Sequence, residues 1–278
     1  MSLDISDALS DGLDRTFQRN GLLIAVVFVV FGLIDAVAGQ TLAAATARFA
    51  EQAMSQLPSD APANPAVTTL PSAEATPLSL PVPLPVALGL VAVLAFVAEA
   101  IRIVSVRTLV SDETETIPDE LVSRNLFSAT LNGFVGGIVV IILVAVGLLL
   151  LVVPGVFIAL SFFFVRQEIA VEDKNFIDAL SSSWELTSGH RLALFGLALV
   201  LFVVGLVVTA VGGLVGFVGI PLLTTVVNIL LGAATTVFTV AVAARAYVQL
   251  TDERDAAVAP DAGEMEGADD ESEWKYNP

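Results

Sequence analysis

The stretch NFIDALSSSWELTSGHRLALF, residues 175–195, sets a polar, serine-rich segment between two of the most apolar runs of the chain. At helical spacing Phe176, Ile177, Leu180 and Trp184 share one face, while Asp178, Ser181, Ser182 and Glu185 share the other. Two looser relatives of its opening occur elsewhere, DISDAL from Asp4 and TIPDEL from Thr116. Each begins on a favoured N-cap residue (Asp4, Thr116 or Asn175). Each places an aspartate three residues later (Asp7, Asp119 or Asp178), where a carboxylate meets the free N–H groups and the positive helix end. Each then leads into a long apolar run. The pattern predicts three parallel repeats, each an interfacial amphipathic helix followed by a transmembrane hairpin. The polar face of 175–188 then touches cytosol, with Phe176, Leu180 and Trp184 at the headgroup level. The plain alternative is that any loop beside a membrane reads as amphipathic.

Composition supports the membrane half of this reading. Of the 278 residues 56% are hydrophobic and 15% charged, with mean hydropathy +0.85. Soluble domains carry roughly 25% charged residues, so the apolar excess must face lipid. A span needs about 20 mainly apolar residues. Runs at 21–39 and 85–104 each supply one. Residues 131–165 are too long for one pass and make two, with Pro154-Gly155 as the break; 192–250 makes two more around the glycine-rich 212–221. The expected fold is an all-α, polytopic helical membrane protein of six spans, with a membrane domain over 1–250.

Of the 12 lysines and arginines, only Arg48 falls on the outer side if the N-terminus is inside, so both termini are expected in the cytoplasm and the protein in the cell membrane. The N-terminus lacks the basic start of a signal peptide, carrying Asp4, Asp7, Asp11 and Asp14 instead. Residues 42–80 read as an external Pro-rich loop, and 251–278 as a disordered acidic cytoplasmic tail ending near Trp274 and Tyr276. Either segment is a candidate contact for other membrane or cytoplasmic proteins. Net charge is −17, with lysine only at Lys174 and Lys275. That balance suits a salt-rich cytosol and predicts a halophilic, archaeal source. It argues against nucleic acid as a partner. With no cysteine there is no thiolate metal site or thiol nucleophile.

The run VPGVFIALSFFFVRQEIAVEDKNFIDALSSSWELTSGHR, 153–191, resembles the membrane-domain superfamily found beside some glycerophosphodiester phosphodiesterases and in stand-alone multipass bacterial and archaeal proteins. The similarity lies in Pro154-Gly155 at a hairpin, a span ending in mixed charges, and a polar helix closing on Gly189-His190-Arg191. The resemblance implies roles in membrane integrity or lipid interaction. Within these 278 residues no soluble phosphodiesterase domain is expected.

Little else points to chemistry. The single histidine, His190, builds neither a metal site nor a Ser–His–Asp set, and no phosphate-cradling glycine loop is present. No enzyme activity, cofactor or metal is expected. The candidate functional residues are the charges inside spans, which cost roughly 2.5–3.5 kcal/mol each at a helix centre and so turn inward or pair. Helical rise places Glu99 and Arg166 at matched depth, predicting Glu99 against Arg166 and Arg102 near Glu168. Asp35 reads as a water-accessible residue near the outer mouth, and Asn228 as interhelical glue. Trp184, His190 and Arg191 are candidate lipid-headgroup contacts. The leading expectation is a non-enzymatic, membrane-organising or lipid-interacting protein. The rival is a transporter or channel using Asp35, Glu99, Arg102, Arg166 and Glu168.

Overall fold

The structure, a computed structural model, describes residues 3–56 and 76–258. Every element among them is a helix. Six helices are long and apolar enough to cross a membrane: α2 (Arg19–Ser55), α3 (Leu84–Val110), α5 (Leu126–Leu150), the broken pair α6 (Val152–Ser161) and α7 (Val165–Glu172), α9 (Arg191–Gly216) and α10 (Pro221–Val258). Three short helices, α1 (Ile5–Phe17), α4 (Asp119–Ser123) and α8 (Phe176–Thr187), lie together at one end of the bundle, here the short-helix end. The architecture is that of a multipass membrane protein.

Local chemistry sets most boundaries. Asp4 caps α1 by accepting the N–H groups of Ser6 and Asp7, and Asn175 caps α8 by accepting those of Ile177 and Asp178. Thr116 caps nothing. Pro118 occupies the N-cap position of α4, which runs only 5 residues against the 13 of α1 and 12 of α8. The α5–α6 hairpin turns at Leu151, the one residue between the helices. Pro154-Gly155, expected to be the break, lie inside the first turn of α6, where a proline has no N–H to lose. Their role is close packing instead: a Cβ added at Gly147 would come within 2.8 Å of the Gly155 Cα. Before α10 the chain turns through Gly219 at φ +75°, a left-handed backbone that favours glycine, and Pro221 opens the helix.

Two expected boundaries move. Residues 42–55, read as external loop, continue α2, which at 37 residues extends about 55 Å and outruns the ~30 Å hydrocarbon core. Residues 251–258, read as the start of the tail, continue α10. Residues 76–80 of the expected loop are non-helical, and 57–75 and 259–278 lie outside the described residues.

Packing is tightest at the short-helix end. Gly12 lets α1 press on α10, where an added Cβ would meet Val242 Cγ2 at 2.5 Å. Around that contact Ala8, Phe164, Leu194, Leu197, Ala246 and Tyr247 form one core. A second joins Ile103 and Val106 of α3 to Val165, Ile169 and Ala179. A third, Ile24, Leu109, Val237, Ala241 and Ala244, closes α2, α3 and α10 on one another. Towards the opposite end the helix faces are largely exposed, as Leu149, Leu150, Val153 and Phe217 are, which fits a surface solvated by lipid.

The break in the fourth span explains the serines of α8. Between Ser161 and Val165 the backbone leaves helical hydrogen bonding, and such groups need partners when buried. The Ser183 hydroxyl accepts the Phe164 N–H (3.2 Å) and donates to the Ser161 carbonyl (3.0 Å), to which Thr187 also donates (3.3 Å). This corrects the expected faces of α8. Ser183, Thr187, Ala179 and Leu186 face the bundle, whereas Ile177 and Trp184, which shared the predicted apolar face with Phe176 and Leu180, are exposed.

Candidate functional site: a charged cluster beside a polar cavity

Glu99 on α3 is buried, and the α7 guanidinium of Arg166 grips it with both arms: Nε donates to Oε1 at 2.7 Å and Nη2 to Oε2 at 3.2 Å. Bidentate geometry of this kind is the strongest form of the pair. Arg102, one turn along α3, approaches the same carboxylate at 3.5 Å. Gly133 of α5 provides the room, since a Cβ there would lie 2.8 Å from Glu99 Oε1.

Arg102 does not meet Glu168. Residues two apart on a helix point to nearly opposite sides, so with Arg166 turned to α3, Glu168 turns away. It is fully buried and takes Lys174 Nζ at 2.6 Å, and the same ammonium also donates to Ser182. The four-charge cluster is therefore two separate units, Arg102–Glu99–Arg166 and Glu168–Lys174.

Asp35 lies elsewhere on the charged units' flank. It lines a cavity of about 490 Å³ between α2, α3 and α10, whose walls include Phe28, Arg102, Thr224, Thr225 and Thr236. Asp35 thus shares a cavity with Arg102. Asn228 lines it as well, and across the last hairpin its side-chain oxygen fills the space that a Cβ on Gly212 would take. On the other side of Glu99, Arg166 reaches a smaller cavity of about 170 Å³ beside the helix break, with Gly133, Phe162 and Phe163. The two guanidinium groups that share Glu99 thus line different cavities.

The three candidate headgroup residues cluster at the short-helix end. The Arg191 guanidinium is clamped between two rings, 4.5 Å from the Phe157 centroid and 4.6 Å from that of Trp184. Trp184 also meets Phe157 and Phe162. His190 precedes α9 and lines a separate polar cavity of about 410 Å³ with Glu185, Glu253 and Arg254.

Sequence reasoning missed a second charged knot. Arg107 is 3% exposed, and its Nε donates to the Ala170 carbonyl (2.7 Å). Its Nη1 reaches the carbonyls of Arg124 (2.6 Å) and Leu121 (3.3 Å), and its Nη2 meets Asp173 (3.0 Å). Arg124 holds the other Asp173 oxygen at 3.0 Å and the Val171 carbonyl at 3.0 Å. Free carbonyls at the ends of α4 and α7 are thus satisfied by two arginines around one aspartate. Nearby, Asn20 and Arg15 both donate to the Glu113 carbonyl, tying the α1–α2 joint to the α3 exit. Among the described residues, no group of three or more His, Cys, Asp or Glu side chains is placed to hold a metal ion.

Residues 3–250 match the family model described as Domain of unknown function (DUF7847), and the chain belongs to that family. No curated protein and no solved structure matches it.

Proposed function

We propose that this chain is a non-enzymatic, lipid-interacting protein of the cell membrane, with its short-helix end and both termini in the cytoplasm. The observation that carries the reading is the band at that end. Leu13, Phe17, Phe127, Ile177, Trp184 and Leu192 are all exposed there, and Arg19 and Arg191 lie on the same end. Apolar and aromatic side chains beside cations, on short helices flanking spans, are the chemistry of a headgroup layer. The positive-inside bias supports the orientation. Two well-capped short helices, α1 and α8, each leading into a hairpin of spans, support the three-repeat plan, with α4 as a degenerate copy. The resemblance of 153–191 to the membrane domains found beside glycerophosphodiester phosphodiesterases points the same way. So does the use of most in-span charges on one another, which leaves them to hold helices together.

The indole of Trp184 tests this reading. With Trp274 replaced by Phe, the remaining fluorescence should be quenched more by spin labels near the headgroups than by labels deep in the acyl chains. Equal or deeper quenching, or none, overturns the interfacial placement.

A second reading, solute transport, is favoured by one observation: the polar cavity that carries Asp35 and Arg102 inside the spans. Its ligand chemistry can be argued further.

A further inference from the structure

We propose that the cavity between α2, α3 and α10 binds a small zwitterionic group, its anionic part on Arg102 and its cationic part at Asp35. Charge balance comes first. One carboxylate, Glu99, is shared by two guanidinium groups, and Arg166 already holds both its oxygens. Arg102 therefore brings positive charge that Glu99 does not neutralise, and its side chain is 44% exposed on the cavity side. Asp35 carries the opposite need. It makes no ion pair or hydrogen bond among the described residues, although it lies within a span, where an unpartnered charge is costly.

The two needs sit at different levels. Asp35 is 16 residues along α2 from Arg19, and Arg102 is 8 residues from the α3 end at Val110. The Asn20 N–H bonds the Thr114 carbonyl, so the two helix ends are level. At 1.5 Å per residue the two charged residues are then about 12 Å apart along the axis, before their side chains reach towards each other. That gap fits a molecule with opposite charges a few bonds apart.

The walls match the assignment. On α10, Ile229 packs at the level of Gly32, which places Thr224 and Thr225 near Asp35. Both hydroxyls donate to their own helix, to the carbonyls of Ile220 and Pro221. With the protons so used, each hydroxyl oxygen keeps lone pairs that can accept from an ammonium group. Nearer the short-helix end α2, α3 and α10 meet in the Ile24, Leu109, Val237 and Ala241 core. A simple anion would leave Asp35 unpaired, and a simple cation would leave Arg102 with only its share of Glu99. Either a free solute or a zwitterionic lipid headgroup carries the required chemistry. The inference is independent of the headgroup band.

The test uses the full chain in nanodiscs of phosphatidylglycerol, which has no zwitterionic headgroup. Calorimetry follows binding of 4-aminobutyrate and of glycerophosphoethanolamine, with butyrate and butylamine as single-charge comparators. At least one zwitterion should bind about tenfold or more tightly than either comparator. Asp35→Asn should remove that advantage, while Arg102→Gln should weaken the zwitterion and butyrate alike. Preference for 4-aminobutyrate assigns the site to a free solute; preference for glycerophosphoethanolamine assigns it to a lipid headgroup. If neither zwitterion exceeds the comparators, or Asp35→Asn leaves affinity unchanged, the proposal fails. Asp35 has no partner to lose, so that variant carries the test even if Arg102→Gln does not fold.

Discussion

Glu99→Gln lowers the stability of the detergent-solubilised protein by about 3 kcal/mol, and Arg166→Met costs clearly less. Breaking a buried pair from one side typically costs about 3–5 kcal/mol, because the surviving charge is left uncompensated. The lower edge applies here, since Glu99 is buried but the Arg166 and Arg102 side chains are 39% and 44% exposed. The asymmetry follows from the geometry. Removing Glu99 strands two guanidinium groups, whereas removing Arg166 leaves Glu99 with Arg102 at 3.5 Å. Adding Arg166→Met to Glu99→Gln therefore restores part of the loss, with a coupling of about 1 kcal/mol or more. Thermal unfolding of the wild type, both single variants and the double variant measures it. Strict additivity would show that each charge acts alone.

Arg107→Met should be the most damaging substitution at the short-helix end, at about 3–5 kcal/mol. One side chain there satisfies three backbone carbonyls and half of an aspartate, at 3% exposure. Its loss orphans the carbonyls of Leu121 and Arg124 and leaves Ala170 only a long contact from Arg124 (3.4 Å), while Asp173 keeps Arg124. Arg107→Lys should rescue little, because an ammonium cannot span the fork that reaches α4 and α7 together. The same unfolding assay decides, and a Lys variant as stable as wild type would remove the fork from the account.

The six spans were legible because each rests on local composition, a run of apolar residues that water would not tolerate. Caps at Asp4 and Asn175 were legible for the same reason, since the side chain and the N–H groups it accepts are two or three residues apart. The α2 extension also had a local signal. Residues 42–55 are rich in alanine and other helix formers, but the prolines that follow drew the loop boundary too early. Pro154 misled in the opposite direction, because a proline breaks a helix interior yet suits a first turn.

Within the site, helical rise put Glu99 opposite Arg166, but depth alone ignores azimuth. Counting turns on 166–168 would have separated Arg166 from Glu168. Other features had no local signal. Arg107 and Asp173 are 66 residues apart in the chain, and Ser183 serves a backbone break that only the packed α6–α7–α8 unit creates. The shared cavity of Asp35 and Arg102 likewise depends on which faces of three helices meet.

The most direct test of the membrane architecture is sidedness, and the absence of cysteine makes it clean. Single cysteines are placed at Ser55, exposed at the far end of α2, and at Ser181, exposed on α8. Intact cells are treated with a membrane-impermeant thiol reagent. The account predicts labelling of Ser55→Cys from outside, with Ser181→Cys reacting only after the membrane is permeabilised. Labelling of Ser181→Cys in intact cells, or protection of Ser55→Cys, would contradict it.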